Sequence, residues 1–325
     1  MKIALVQHPP VFLNLGESTR LTCRLLEQTG ADGADLVVFP ETWLPGYPVW
    51  LDEAPGAALW DHAPARTLFR ALRDNSPRID GPEIAAIRGA AESAGADVVI
   101  GVNEKDGSTL YNSMLFITNH GRELAVHRKL VPTYTERLVW GRGDGSGLVA
   151  VDAAWGRLGG LVCWEHWMPL ARAALHARRE TVHVAQWPWV KEMHQVASRH
   201  YAFEGRCFVA ASGARLNRGE LLDGLASLGP EYAAGRELLE SIPGDESRVL
   251  LDAGSAVIGP DGAYVAGPLH GTAETLWADI DPGRIDEELM TLDTDGHYSR
   301  PDVFTLSVNT CLLYTSDAAD DLYTV

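Results

Sequence analysis

The sequence predicts an α/β fold in which a mixed β-sheet is covered by helices, with two such layers packed together. Two observations support this prediction. Runs that are apolar along their whole length alternate with amphipathic helical patterns, which is typical of strands buried on both faces. Two turn motifs, Asn119-His-Gly-Arg122 and Gly259-Pro-Asp-Gly262, each separate a pair of strand-like runs and predict antiparallel hairpins. No break in composition marks a domain boundary.

Each element has a local signal in the sequence. Buried strands are expected at residues 3–6, 36–39, 98–102, 158–162, 181–185 and 208–211. The two hairpins are expected at residues 110–118 with 123–128 and at residues 255–258 with 264–266. Asn14 is positioned to cap a first helix, and Pro82 and Gly95 mark the beginning and end of another. Residues 48–80, rich in Pro, Ala and Trp, predict a long irregular insertion.

Two further helices are expected in the second half of the chain, one opened by Pro169 and one over residues 191–204. Helical spacing of small and apolar residues predicts their inward faces. These faces comprise Leu170, Ala173, Ala174 and Ala177 on the first helix, and Met193, Val196, Ala197 and His200 on the second. His200 is therefore expected to be a buried core histidine.

The composition is that of an ordinary globular protein, with 46% hydrophobic and 22% charged residues among 325. A formal net charge of −17 disfavours nucleic acid and anionic membranes as partners. The four cysteines lie far apart without a CxxC pair, which favours free thiols in a reducing compartment and no zinc site. No apolar run suits a signal peptide or a membrane span, so we expect a cytoplasmic protein.

Cys163 follows an apolar strand and precedes the helix that Pro169 opens. We expect it on a strand-to-helix turn, close to unpaired backbone N–H groups and the positive end of a helix dipole. That environment lowers the pKa of a thiol and favours the nucleophilic thiolate. The alternative is a buried structural cysteine, which is the commoner environment of a single intracellular Cys.

Two other chemically useful residues also follow strands. Glu41 comes after the strand at 36–39, among aromatic residues and prolines, where a water-poor cleft would raise its pKa. Lys129 comes directly after the strand at 123–128. A capping or surface glutamate and a solvated lysine are the alternatives. Together with Cys163, an acid/base and a cation suit acyl transfer, because a thiol needs a proton acceptor and an anionic heteroatom needs a donor.

Three segments in this order, Phe39-Pro-Glu41, His127-Arg-Lys129-Leu-Val-Pro-Thr and Leu161-Val-Cys163-Trp-Glu-His166, resemble the Glu–Lys–Cys signature of the nitrilase superfamily. The similarity extends from residue 1 to about residue 308, and Cys-Trp-Glu-His favours the nitrilase branch over amidases. The resemblance implies a four-layer αββα sandwich without a cofactor or metal. It also implies homo-oligomers built from dimers, which often grow into spirals.

The resemblance also implies roles for these residues. Cys163 would attack the carbon of an organic nitrile, Glu41 would take the thiol proton, and Lys129 would stabilise the anionic nitrogen. Ammonia would leave as a thioester forms on the enzyme. Water activated by Glu41 would then hydrolyse this thioester and release a carboxylic acid. Glu136 matches a further glutamate that positions substrate and lysine, with a surface carboxylate as the alternative.

Aromatic residues beside the motifs are candidates for the wall of a substrate pocket, with core packing as the alternative. Those predicted to contact substrate are Tyr47, Tyr134, Trp164 and Trp187. Glu165 and His166 are expected to hold the nucleophile turn by hydrogen bonds. The preference for aliphatic, aromatic or arylacetonitrile substrates depends on the geometry of the 48–80 insertion and of the Tyr134 region.

Two other functions remain open. An amidase or carbamoylase of the same superfamily would use the same three residues, and a nitrilase intermediate that expels the thiolate leaves an amide as a side product. A non-catalytic ligand-binding relative is the third possibility, but loss of Glu41, Lys129 or Cys163 would mark it, and all three are present.

We expect one domain over residues 1–309. Residues 310–325 contain Cys-Leu-Leu-Tyr-Thr-Ser-Asp-Ala-Ala-Asp-Asp-Leu, which resembles translated sequencing-adapter DNA. We therefore expect an extraneous, disordered tail that is dispensable. Many nitrilases continue in a tail that supports assembly, and we expect that tail to be absent or replaced here, which leaves the oligomer size open.

Overall fold

The structure, a computed structural model, describes residues 1–312 of the chain. The tail predicted for residues 310–325 therefore lies, from residue 313 onward, outside the described residues. Before that point, no helix is long and apolar enough to cross a membrane.

Strands and helices are interspersed along the described residues. The strands are β1 (Lys2–Val6), β2 (Leu36–Val38), β3 (Asp97–Asp106), β4 (Thr109–Thr118), β5 (Glu123–Arg128), β6 (Val151–Ala153), β7 (Gly156–Val162), β8 (Val182–Gln186), β9 (Phe208–Ser212), β10 (Arg215–Asn217), β11 (Val249–Ile258), β12 (Tyr264–His270) and β13 (Thr275–Asp279). The α-helices are α1 (Leu15–Ala31), α2 (Trp50–Glu53), α3 (Ala63–Asp74), α4 (Pro82–Ala94), α5 (Pro169–His176), α6 (Glu192–Gly205), α7 (Arg218–Ala226), α8 (Arg236–Glu240) and α9 (Arg284–Leu289). Short 3-10 helices cover Tyr134–Leu138, Gly145–Gly147, Cys163–Trp167 and Pro230–Gly235.

The strands form two mixed sheets. The first has the order β13-β1-β2-β3-β4-β5, in which β1, β2 and β3 are parallel and the outer neighbours are antiparallel. The second has the order β10-β11-β9-β8-β7-β6, with β7, β8 and β9 parallel and β12 paired to β11. The predicted hairpins are present as β4–β5 and β11–β12, so the mixed character of both sheets is confirmed.

The two sheets pack face to face over one apolar core. Val38 and Val99 of the first sheet and Val184 and Val209 of the second are completely buried members of the same cluster. Full burial of a side chain of this size stabilises the fold by about 1.5–3 kcal/mol. Helices α1 and α4 pack on the outer face of the first sheet, and α5 and α6 pack on that of the second. The predicted four-layer αββα sandwich is confirmed.

The signals that predicted α1 and α4 act as expected. The side chain of Asn14 accepts a hydrogen bond from the N–H of Glu17 and so satisfies one of the free donors at the beginning of α1. Gly95 ends α4 in the left-handed conformation, with φ at 65°, which glycine adopts at little cost.

The prediction of an irregular insertion at residues 48–80 was wrong, because α2 and α3 lie within it. In α3 the first turn contains Pro64, and Leu68, Ala71 and Leu72 are buried together at helical spacing. Proline in a first turn favours a helix, so the sequence contained two helical signals here despite its high content of proline and alanine.

The predicted inward faces of α5 and α6 were also largely wrong. Leu170, Met193, Val196 and His200 are exposed, and the residues buried on α6 include Gln195, Ser198 and Tyr201. The physical reason is that two of the inward polar side chains, Gln195 and Tyr201, find hydrogen-bond partners. Gln195 donates to the carbonyl of Gly254 at 2.6 Å, for example. A satisfied polar side chain can therefore occupy a core position that apolar periodicity assigns elsewhere.

Candidate active site

Three strand ends meet at one edge of the sandwich. Glu41 follows β2 and Lys129 follows β5 in the first sheet, whereas Cys163 follows β7 in the second. The Sγ atom of Cys163 and one carboxylate oxygen each of Glu41 and Glu136 lie within 4.8 Å of one another. The structure therefore brings together the four residues that the sequence proposes for catalysis.

Lys129 forms a buried ion-pair cluster with two carboxylates. Its Nζ atom lies 3.1 Å from Oε1 of Glu41 and 2.7 Å from Oε2 of Glu136, and all three side chains are at most 2% exposed. Burial alone disfavours the charged ammonium, but the carboxylates of Glu41 and Glu136 outweigh it and raise the pKa of Lys129 above its ordinary value. Two carboxylates and a thiol could hold a divalent cation, yet the ammonium already takes the position between the carboxylates.

Glu136 is fixed by the chain around it. It lies in the 3-10 helix Tyr134–Leu138, and its Oε2 atom accepts the N–H of Thr133 at 2.6 Å. The hydroxyl of Tyr47 donates to Oε1 of Glu136 at 3.1 Å. Glu136 thus holds the Lys129 ammonium in place, and Tyr47 contributes to that arrangement as well as to the cavity wall.

Glu41 has one engaged and one unengaged carboxylate oxygen. Its Oε1 atom accepts hydrogen bonds from Nδ2 of Asn112 at 2.6 Å and from Lys129. Its Oε2 atom is buried without a hydrogen-bond partner among the described residues. Burial raises the pKa of Glu41 to about 7, against the lowering effect of Lys129. A carboxylate with this pKa is suited to general-base chemistry at neutral pH, because its base form is both populated and basic.

The thiol of Cys163 is nearly enclosed, at 4% exposure. Burial and the neighbouring Glu41 carboxylate raise its pKa well above the ordinary value, although Lys129 and the N–H of Trp164 act in the opposite direction. The predicted lowering of this pKa was wrong. The turn continues as the short 3-10 helix Cys163–Trp167, and α5 begins only at Pro169, so the first turn of α5 does not begin at the sulfur as predicted. The resting group is a thiol, and it must lose its proton to a base.

The backbone at Cys163 is strained and is held by its neighbours. Its φ is +54°, in the left-handed region, which costs a residue other than glycine about 1–3 kcal/mol. Glu165 accepts the N–H of Val162 at 2.7 Å and is paired with His127 at 2.9 Å. Nδ1 of His166 is hydrogen-bonded to the carbonyl of Cys163 at 2.7 Å. These contacts agree with the expectation that Glu165 and His166 hold the turn.

A cavity of about 920 Å³ opens in front of this cluster. Cys163 and Glu136 line it, whereas Glu41 and Lys129 are completely buried behind them. Tyr134 and Trp164, two of the predicted substrate contacts, are on its wall and are largely exposed. Asp52 and Glu53 show that the 48–80 insertion contributes to the wall as well.

Trp187, the remaining predicted substrate contact, is not among the residues that line this cavity. Its side chain is completely buried, and its ring stacks on those of His166 and His194. Trp189 lines the cavity instead, with Nζ of Lys191 4.4 Å from its ring centroid. Both residues lie beyond the end of β8 at Gln186, where the alternation of a strand no longer determines which side chain faces the cavity, so we do not retain Trp187 as a substrate contact.

Asn112 is a residue of the site that the sequence interpretation missed. It lies in β4, and its side-chain amide fixes the orientation of the Glu41 carboxylate. The available signal was a buried polar residue in an otherwise apolar stretch of strand, since such a group needs a hydrogen-bond partner.

Comparison with known proteins agrees with this geometry. Residues 2–287 match the family model of the carbon-nitrogen hydrolases. A nitrilase of Pseudomonas syringae pv. syringae is 37% identical, over 95% of this chain and 90% of its own length. An aliphatic nitrilase of Sinorhizobium fredii is 36% identical, over 95% of both chains.

A solved carbon-nitrogen hydrolase of Helicobacter pylori has the same fold. Its TM-score is 0.67 at 18% identity, with 93% of this chain and 96% of that chain covered. The fold and the sequence relatives agree. The chain therefore belongs to the carbon-nitrogen hydrolase family, and within that family to the nitrilase branch.

Proposed function

We propose that this protein is a nitrilase, which hydrolyses an organic nitrile to a carboxylic acid and ammonia. One observation carries the proposal. A buried thiol that lines a cavity with room for a small organic substrate is grouped with a carboxylate that has a pKa of about 7 and with a buried ammonium. The similarity to proteins named as nitrilases supports the choice of a nitrile.

The first half of the reaction forms a covalent intermediate. The thiol of Cys163 transfers its proton to Glu41 as the sulfur attacks the nitrile carbon, and the nitrile nitrogen receives a proton in return. The Oε2 atom of Glu41 suits this role because it has no hydrogen-bond partner in the described structure. Lys129 stabilises the negative charge that develops on nitrogen, and Glu136 holds the ammonium in position. The product of this half is a thioimidate on Cys163.

The second half consumes two water molecules. Glu41 removes a proton from the first water, which adds to the thioimidate carbon, and the nitrogen leaves as ammonia after accepting protons. The second water hydrolyses the resulting thioester in the same way, releasing the carboxylic acid and restoring the thiol. A general base contributes about 10²–10⁴-fold to steps of this kind.

Ammonia release from a panel of nitriles and their matching amides tests the proposal. A nitrilase releases ammonia from at least one nitrile faster than from the corresponding amide. Faster release from the amides would assign the protein to the amidases of the same family. Absence of ammonia from every nitrile and amide, with intact fold, would support a non-catalytic binding protein.

We propose a dimer as the basic assembly, paired through α5 and α6. Exposed apolar side chains occur on both helices, namely Leu170 on α5 and Met193, Val196 and Phe203 on α6. A monomer would leave this face in water, whereas a second copy would bury it.

We also propose that residues 1–309 form one domain and that residues 310–325 are dispensable. The contact of the partly buried Val308 with the main core supports a domain that extends at least to this point. Truncation after residue 309 leaves activity and Tm unchanged if the proposal holds, and a clear loss of either would contradict it. The free state of all four cysteines is consistent with a reducing, cytoplasmic compartment, which is our proposal for the location.

A further inference from the structure

A chain of buried hydrogen bonds leads away from Cys163 on the side opposite the cavity. Nε2 of His166 lies 3.0 Å from Nε2 of His183, and Nδ1 of His183 lies 2.9 Å from Oε1 of Glu180. The hydroxyl of Tyr201 donates to Oε2 of Glu180 at 2.6 Å. The four side chains are at most 5% exposed. His166 holds the nucleophile turn, and none of the four takes part in the steps of the proposed reaction.

The positions of the protons in this chain follow from the donors and acceptors. The carbonyl of Cys163 can only accept, so Nδ1 of His166 carries a hydrogen, and Nε2 of a neutral His166 must accept. Nε2 of His183 therefore donates to it, which leaves Nδ1 of a neutral His183 as an acceptor. Its partner, Oε1 of Glu180, must then carry a hydrogen. The bonds are all satisfied by neutral groups only if Glu180 is a carboxylic acid.

The surroundings of Glu180 agree with this protonation state. Burial raises the pKa of Glu180 to about 7, and burial lowers the pKa of His183 well below its ordinary value, so the proton belongs on the carboxyl group. Strand β7 makes room for it at Gly159, where a Cβ atom would lie 1.8 Å from Oε1 of Glu180. The titratable and charged groups that act on Glu180 and His183 from neighbouring elements include His127, Arg157, Glu165, His176, Tyr201 and Cys207. Glu180 also lines a small cavity together with the charged residues Arg179, Arg206, Asp293 and Asp295.

The end of this hydrogen-bond chain at His166 fixes a peptide group of the active site. The carbonyl of Cys163 and the N–H of Trp164 belong to one planar trans peptide, so they point in opposite directions. Holding the carbonyl through His166 thus also fixes the direction of the N–H of Trp164, a group that lowers the pKa of the Cys163 thiol. The orientation matters because Cys163 is in a strained conformation that an unsupported turn would leave.

We propose that Glu180, as a neutral carboxylic acid, and His183 are positioning residues that act through His166 to orient the Cys163–Trp164 peptide. Their role is to keep one set of tautomers along the chain, so that each bond has one donor and one acceptor. The inference goes beyond the proposed nitrilase activity, although its kinetic readout depends on that activity.

Paired substitutions of Glu180 test this proposal. Glu180→Ala breaks the chain and is expected to lower kcat about a hundredfold, the effect of misplacing a reacting group by about 1 Å, with a far smaller change in KM. Glu180→Gln keeps a donor for His183 and an acceptor for Tyr201 and cannot ionise. It is expected to recover most of the lost rate. Asp97→Ala, which removes another buried carboxyl far from Cys163, is the matched control for loss of stability alone.

Alkylation of Cys163 by iodoacetamide gives a readout that needs no turnover. It is expected to slow in Glu180→Ala and to recover in Glu180→Gln, whether or not nitriles are hydrolysed. Wild-type kcat and alkylation rate in Glu180→Ala would overturn the proposal. A Glu180→Gln protein as impaired as Glu180→Ala would also overturn it. Such a result would mean that the wild type relies on an ionised Glu180 paired with a charged His183, an arrangement that the amide cannot reproduce. Glu180→Gln alone decides between these outcomes if Glu180→Ala does not fold.

Discussion

The buried side chains of the site include fewer cationic groups than acidic ones. Two buried carboxylates, Glu41 and Glu136, are paired with one ammonium, and the thiol of Cys163 lies beside them. Ionisation of the thiol would add a further negative charge to this enclosed space, which explains why its pKa is raised. Attack by the sulfur is therefore coupled to proton transfer, and Glu41, with a pKa of about 7, is the nearby base that can accept the proton.

The acid side of the pH–rate profile is expected to report Glu41. The base form is the active one, so kcat/KM rises as pH increases through about 7. Asn112→Leu removes a hydrogen bond that lowers this pKa, and it is expected to move the midpoint to higher pH. Asn103→Leu, a buried asparagine of β3 bonded to Trp140, is the control that leaves the midpoint in place. An unmoved midpoint in Asn112→Leu would argue against Glu41 as the base.

Removal of the Lys129 ammonium is expected to be severe. Lys129→Ala lowers kcat/KM by about 10²–10³-fold, or about 2.7–4 kcal/mol, if the ammonium does the work of one oxyanion-type donor. Lys191→Ala removes a different lysine, one that lines the cavity, without touching the cluster, and it should affect KM more than kcat. Comparable kinetics in the two variants would contradict the role assigned to Lys129.

Secondary-structure elements differ in how clearly the sequence predicts them. Apolar strands followed by Glu41, Lys129 and Cys163 could be recognised because the ends of strands at one edge of a sheet converge. The inner face of α6 could not, because Gln195 and Tyr201 are buried polar groups whose partners, Gly254 and Glu180, are distant in sequence. The same limit hid the chain of bonds from Glu180 to Cys163, since donor and acceptor positions exist only once β7, β8 and α6 are packed.

The packing of β7, β8 and α6 around Glu180 is expected to make stability depend on pH. Its pKa is raised from an ordinary 4.5 to about 7 in the folded protein, so its contribution is complete below the ordinary value and is lost as pH rises through about 7. Wild-type Tm should therefore fall more steeply across this range than the Tm of Glu180→Gln, which has no proton to lose. Thermal unfolding of both proteins over the same pH series checks this. Parallel curves would mean that Glu180 is already ionised in the folded state.

Two surfaces of the described residues have opposite requirements. The cavity of about 920 Å³ must stay open to substrate, whereas the apolar face of α5 and α6 is suited to cover by a second copy. The two are close in sequence, because the turn at Cys163 leads directly into α5. Assembly through this face would bury α5 and α6, the first of which directly follows the nucleophile turn, against a second copy.

A charge on this face is expected to separate the dimer. Met193→Asp places a carboxylate among apolar side chains, so burial against a partner would require its desolvation. Light scattering at micromolar concentration should show a dimer or larger assembly for the wild type and a monomer for the variant. Leu59→Asp is the control, because it makes the same apolar-to-charged change at an exposed residue outside α5 and α6. A wild-type protein that is monomeric and active would contradict the proposed pairing.

The most direct test of the account is the identity of the residue that carries the acyl group. Rapid quenching of the enzyme with a slowly hydrolysed nitrile, followed by peptide mass spectrometry, should find the adduct on the peptide that contains Cys163. The same experiment with Cys163→Ala should give neither adduct nor turnover, and Cys163→Ser should be nearly inactive because a hydroxyl ionises far less readily than a thiol. An adduct on Cys207 or Cys23, or full activity in Cys163→Ala, would contradict the mechanism.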